Sequence, residues 1–201
     1  MIWLTSDCHF NHLNIIKYEP ETRPFNSIEE MNKELIKRWN DKVKTEDIVY
    51  VLGDFIMGKA DQVENIVQQL NGKIILIRGN HDSRNKLEEY DRLGIEVKDI
   101  AYLQYKGRFF IMCHFPIASE EFMYMVRESN SEVILLYGHI HSNAQPGYID
   151  GTYHVGVDTN NLTPISIEDI WCASWPEEQM TESVREYKRA AANNEHPEEN
   201  I

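Results

Sequence analysis

The sequence predicts an α/β fold in which sheets carry helices on their outside. Three observations predict it. Short apolar runs alternate with capped helical segments in the first half of the chain, hairpin turns appear in the second half, and each run ends in a polar cluster. A simple doubly wound sheet has no place for the hairpins.

The first run, Ile2-Trp3-Leu4-Thr5, leads into Ser6-Asp7-Cys8-His9-Phe10-Asn11-His12. Ser27 with Glu30 makes a capping-box pattern ahead of Met31, Leu35, Ile36 and Trp39. The run from Ile48 to Leu52 ends at Gly53-Asp54. Asp61 with Glu64 repeats the capping pattern ahead of Val63, Ile66, Val67 and Leu70, and Asn71-Gly72 stops that helix. Ile74 to Ile77 ends at Gly79-Asn80-His81-Asp82, and Ser83 is placed to cap a helix through Leu87 and Tyr90. Lys106-Gly107 turns a hairpin between "VKDIAYLQY" and "RFFIMCH", so that Phe109 to Met112 ends at His114. A further helix is expected from about Ser119 through Phe122, Met123 and Val126. Val133 to Leu136 ends at Gly138-His139-Ile140-His141, and Asp150-Gly151 is a strong type I′ signal for a second hairpin. Runs this short, rich in β-branched and aromatic residues, read as strands buried on both faces.

The chain of 201 residues is expected to form one domain over 1–175, followed by a polar, acidic stretch over 176–201. Within that stretch 177–190 reads as a surface helix, and the last ten residues read as disordered. Lys and Arg number 20 against 33 Asp and Glu, a net charge of −13, which disfavours a protein that coats nucleic acid through its phosphates. A phosphate-bearing substrate stays compatible, because a bound cation reverses the local field. Cys8, Cys113 and Cys172 are too scattered for a disulfide framework or a zinc knuckle. With no signal-like start and no membrane-length apolar segment, the expectation is a soluble, cytoplasmic protein with no membrane partner and no stable nucleic-acid partner. A homodimer is compatible with the sequence. Trp3, Trp39, Trp171 and Trp175 read as packing residues.

Singly, each polar cluster has an ordinary explanation: a hydrogen-bonded histidine, a Gly-Asp turn, a left-handed Asn turn before a helix. Together they place Asp7, His9, Asp54, Asn80, His81, His114, His139 and His141 at strand carboxyl ends, where α/β proteins gather their sites. Imidazole with carboxylate and amide oxygen suits Mn, Fe, Zn, Co or Ni, and two ions with one bridging carboxylate account for that many donors. Cys8, between Asp7 and His9, is expected to face the other way and pack.

The blocks "SDCHF", "LGDF", "RGNHD", "CHFP" and "YGHIHS" resemble, in order, the DxH, GD, GNHD, H and GHxH blocks of the calcineurin-like metallophosphoesterases, over residues 7–141. The surrounding text is similar to that of small phosphoesterases of bacteria and their phages. The resemblance implies a four-layer α/β/β/α sandwich with two mixed sheets and outer helices. It implies two divalent metal ions, Mn foremost, with Asp7, His9 and His141 on one, Asn80, His114 and His139 on the other, and Asp54 bridging. A hydroxide bridging the ions would then attack a phosphomonoester or phosphodiester, with a small nucleotide-type substrate expected. His81, beside Asn80, would protonate the leaving group.

The remaining candidates carry two readings each. His12 is a substrate-phosphate contact or a structural hydrogen bond; Arg78 and Arg84 are phosphate contacts or solvated charges. Asp82 reads as a turn or cap residue and His154 as a structural one. Tyr18, Arg23 and Asp158 are weaker candidates. The alternatives to a small-substrate phosphoesterase are a metal-dependent nuclease and a non-catalytic scaffold that keeps the fold.

Overall fold

A computed structural model describes residues 1–117, Tyr124, Glu128, 133–175 and 180–192. It is a mixed α/β fold of two five-stranded mixed sheets with helices. In the first sheet β1 (Ile2–Thr5), β2 (Ile48–Val51), β3 (Lys73–Ile77) and β4 (Glu96–Lys98) run parallel, and β10 (Ile165–Ser166) pairs antiparallel with β1 at the edge. In the second, β5 (Ala101–Tyr105) pairs antiparallel with β6 (Arg108–Met112); β6, β7 (Val133–Tyr137) and β9 (Thr152–His154) are parallel, and β8 (Tyr148–Ile149) closes the order antiparallel to β9.

Side-chain alternation along the strands divides the interior into two cores. Trp3, Val49, Val51, Ile74 and Leu76 pack on one side of the first sheet, against Ile15 of α1 (Leu13–Tyr18), Met31, Leu35 and Trp39 of α2 (Ile28–Lys42), Val63 and Ile66 of α3 (Val63–Val67) and Tyr90 of α4 (Arg84–Arg92). The alternate residues Leu4, Leu52 and Ile77 meet Phe110, Met112, Ile134, Leu136 and Tyr153 between the sheets. α5 (Ile167–Ala173) and α6 (Glu182–Ala192) join this second core through Ile167, Ile170, Trp171 and Val184. The helix expected over 119–126 lies outside the described residues apart from Tyr124. Trp3, Trp39 and Trp171 are buried, and Trp175 packs against the second core.

Three local readings need correction. The segment "VKDIAYLQY" is two strands: β4 ends at Lys98 in the first sheet and β5 starts at Ala101 in the second, so the chain changes sheets at Asp99-Ile100. Asp61 caps nothing; Ala60–Gln62 is a 3₁₀ turn in which Gln62 Oε1 accepts the Lys59 N–H at 3.1 Å. Ser83 stands at the N-cap of α4 without a side-chain bond there. Ser27 does cap α2, accepting the Glu30 N–H at 3.1 Å, while the Glu30 carboxylate reaches back to the Asn26 N–H at 2.8 Å. Both hairpins have the left-handed pairs of type I′ turns: Lys106 and Gly107 at φ 44° and 80°, Asp150 and Gly151 at φ 46° and 80°. Among the described residues no helix is long and apolar enough to cross a membrane.

Candidate metal centre

The turns that leave β1, β2, β3, β6 and β7 converge on one place. Asp7, His9 and His141 form one group and Asp54, His114 and His139 a second, each with its ligand atoms within 4.8 Å of one another. Asp54 Oδ2 lies 3.6 Å from His9 Nε2 and 3.6 Å from His114 Nε2, between the groups. Asn80 Oδ1 is 2.8 Å from His114 Nε2, and His81 Nε2 is 3.9 Å from Asp54 Oδ2. Asp7 Oδ1 and His9 Nε2 are buried without a hydrogen-bond partner. Such orphans are costly. Aimed into a cluster of imidazoles and carboxylates, they fit divalent cations that take nitrogen and oxygen ligands. Cys8 is buried beside Thr5 and belongs to neither group; burial pushes its thiol up to about 12.

The backbone is bent to bring these groups together. Asp7, His9, Asp54, His139 and His141 all have left-handed φ, between 48° and 74°. Each such non-glycine residue costs roughly 1–2 kcal/mol, and sites of this kind persist where surrounding structure holds them. Here Asp7 N–H donates to Gly53 O at 3.1 Å and His9 N–H to Asp54 O at 3.0 Å, tying the first turn to the second. The glycines of the blocks serve the same convergence. A Cβ on Gly79 would collide with the Asp54 carboxylate, and one on Gly138 with the Asp7 carboxylate and Ser6 Oγ. Gly138→Ala is therefore expected to lower thermal stability by about 1–3 kcal/mol and to weaken cation uptake at the Asp7 group; melting the variant with and without Mn²⁺ reads both effects.

Three of the histidines have their second nitrogen occupied, which turns the first toward the centre. His114 Nδ1 is 2.8 Å from Leu52 O, His141 Nδ1 is 2.8 Å from Asp158 Oδ2, and His9 Nδ1 is 3.2 Å from His12 Nδ1. Asp82 is neither a simple turn residue nor a cap. Its carboxylate accepts the Gly79 N–H at 2.8 Å and the Asp54 N–H at 2.9 Å, joining two site loops, while buried Lys86 donates to Ile56 O and His81 O. His154 is buried beside Tyr137 and bonded through Nδ1 to Thr159 Oγ1 at 2.7 Å; burial pushes it down to about 4.

Burial sets the charge states of the cation-free centre. It pushes the Asp7 carboxyl up to about 6, against the opposing pull of His141 and His114, and pushes His9 far below the usual imidazole range. Burial also lowers His141, but the bond to Asp158 and the charges of Asp7 and Asp158 outweigh it, so His141 is raised. Since Asp7 binds its proton more tightly when folded than at its ordinary 3.8, cation-free stability should fall as pH rises from about 4 to about 6 and stay lowered above that. The full effect is at most about 3 kcal/mol. Asp7→Asn removes it. In chelator, urea denaturation should show the variant more stable than the parent at pH 7.5, with the gain vanishing near pH 4.

Of the anticipated substrate residues, His12 lies at the cluster, while Arg78 and Arg84 are held by carboxylates on exposed surface. His12 is half-buried against His9. Arg78 pairs with Asp99 at 2.8 Å and Arg84 with Glu88 at 3.4 Å, both on exposed surface, and neither joins the ligand cluster. The larger role falls to a residue that the sequence ranks low. Arg23 is fully buried, forks onto both Asp158 oxygens at 2.8 and 2.9 Å, and donates to the backbone oxygens of Asp7 at 2.6 Å and Cys8 at 2.9 Å.

Residues 1–156 match the family model of the calcineurin-like phosphoesterase superfamily domain. The chain belongs to that superfamily. An uncharacterised protein of Methanocaldococcus jannaschii is 38% identical over 174 residues, covering 83% of this chain and 87% of its own. The gene 66 protein of Mycobacterium phage D29 is 27% identical over 189 residues, covering 82% and 92%. Among solved structures, a protein of unknown function from Aquifex aeolicus superposes with a TM-score of 0.64 at 28% identity, covering 82% of this chain and 94% of its own. The superfamily match spans every turn that contributes to the two ligand groups.

Proposed function

We propose that this superfamily member is a divalent-metal-dependent phosphoric ester hydrolase acting on a small, nucleotide-type phosphomonoester or phosphodiester. The observation that carries the reading is Asp54 Oδ2, placed 3.6 Å from an imidazole of each ligand group. Asp7, His9 and His141 would hold one ion, Asn80, His114 and His139 the other, with Asp54 shared; Mn is the first choice, and Fe, Zn, Ni and Co suit the same donors. Bound ions of this kind supply Lewis acidity toward phosphoryl oxygens and lower the pKa of water.

The chain's own part is to position groups around the phosphate. His81 is half exposed, its N–H fixed to Asp54 Oδ1 at 2.8 Å and its carbonyl held by Lys86. That leaves its ring free to deliver a proton to the leaving oxygen. His81→Ala is expected to retain metal but lose at least about 10²-fold in turnover on alkyl esters, and much less on a nitrophenyl ester that needs no acid. Equal losses on both would remove His81 from that role.

Two exposed aromatic rings flank the cluster. Phe115 sits 4.9 Å from the His114 and His139 rings, and Tyr18 lies 6.4 Å from His12 on the other side. Such faces suit a base or another flat group on the substrate. With Arg78 and Arg84 engaged by carboxylates and a net charge of −13, a small ester is favoured over a nuclease substrate. His12 is a further candidate contact through its remaining nitrogen. The test is a panel of mono- and diesters, including nucleotides, run with Mn²⁺, Zn²⁺, Ni²⁺ and Co²⁺. Metal-dependent turnover of at least one small ester supports the reading; none with any metal would favour the scaffold.

A further inference from the structure

We propose that Arg23 and Asp158 form a metal-independent clamp that presets the Asp7–His9–His141 group, so that this group takes up the first equivalent of divalent cation. The inference rests on reading the two ligand groups as cation sites. It goes further by ranking them and by assigning the ranking to two residues outside both.

Arg23 and Asp158 have fully buried side chains. Every strong donor of the guanidinium is engaged: Nε and one Nη on Asp158, and the Nη atoms on the carbonyls of Asp7 and Cys8. Asp158 Oδ1 also accepts the Thr22 hydroxyl at 2.9 Å, and Oδ2 meets His141 Nδ1 at 2.8 Å. A single planar cation therefore fixes the backbone that carries Asp7 and, through one carboxylate, the ring of His141. Bidentate pairing gives this arrangement a defined geometry that a lysine could not reproduce. With Nδ1 occupied, His141 presents Nε2 to Asp7 Oδ1, 4.0 Å away. The second group has no equivalent for its histidine on the loop after β7. Among the described residues the His139 ring makes contacts with the His114 and Phe115 rings but no hydrogen bond, and Asn80 is exposed. Ligands already held in place lose less freedom when a cation arrives. The first group is held, and the second is only partly so.

The experiment is a calorimetric titration of the metal-stripped full chain with Mn²⁺, in the absence of substrate. Two steps are expected, the first tighter. Asp158→Asn should weaken the tighter step by about 10–100-fold and leave the weaker one in place, whereas His139→Ala should remove the weaker step only. Arg23→Lys, which keeps the charge but cannot fork, should also weaken the tighter step. Two equal steps in the parent, or a loss confined to the weaker step in Asp158→Asn, would overturn the clamp. Absence of any uptake would overturn the metal reading itself, and that result is distinct from the others. Should the Asp158 variant not fold, nitrogen-15 spectra of the metal-free parent decide the matter: the clamp requires a hydrogen-bonded proton on His141 Nδ1 before any metal is added, and its absence would contradict it.

Discussion

Asp54→Asn is expected to lower phosphoester turnover by at least about 10³-fold while leaving the fold intact. The loss follows from position: Asp54 Oδ2 faces both ligand groups at 3.6 Å, and Oδ1 accepts the His81 N–H at 2.8 Å. An amide has one acceptor oxygen, so it serves the ligand groups or His81 but not both, and it brings no charge to hold two cations. Several kcal/mol of charge stabilisation is at stake, at a tenfold change in rate for each 1.4 or so. The fold survives because Asp54 adopts φ 51°, a conformation that asparagine tolerates better than other residues of its size. Steady-state kinetics on a diester, paired with a thermal melt, separate the two effects. Turnover within tenfold of the parent would mean that Asp54 does not link the groups.

Arg23→Met should cost about 3–5 kcal/mol of stability, the usual consequence of leaving a buried charge without its partner. Methionine replaces most of the stem and none of the donors. Asp158 would keep a buried carboxylate whose remaining partners among the described residues are His141 and Thr22, and the Asp7 and Cys8 carbonyls would lose their partner. Replacing both charges, as Arg23→Met with Asp158→Leu, is expected to recover much of the loss, since no unpaired charge then remains. Urea denaturation in chelator measures both. A single-variant loss below about 1 kcal/mol would show that the pair contributes no more than a surface bridge.

These two residues also mark what could be seen in the sequence. Asp54 was legible because its apolar run, glycine and carboxylate are adjacent in the chain, and the other ligands likewise lie within a few residues of the end of an apolar run. Arg23 was not: its partner Asp158 is 135 positions away, and nothing local distinguishes it from a surface arginine. Strand-end chemistry travels with the strand, whereas tertiary clamps do not. The same limit explains β4 and β5. Without glycine or proline at Asp99-Ile100, "VKDIAYLQY" reads as one strand, and only the packing of two sheets divides it. Strand alternation predicts Cys8 as a packing residue, and it is buried. Yet the backbone beside it is left-handed at Asp7 and His9, not extended, so Cys8 is turned inward by these bends and not by strand alternation. The capping reading failed at Asp61 because a short 3₁₀ turn intervenes and Gln62 makes the local bond instead.

The central claim is that the convergent turns hold two divalent ions for phosphoester hydrolysis. Its most direct test is turnover of bis(p-nitrophenyl) phosphate by the metal-stripped chain as Mn²⁺ is added in equivalents. Expected are no turnover without metal, a rise that needs two ions per chain, and loss on adding chelator. Turnover that is undiminished in chelator, or that is complete at one ion per chain, would contradict it.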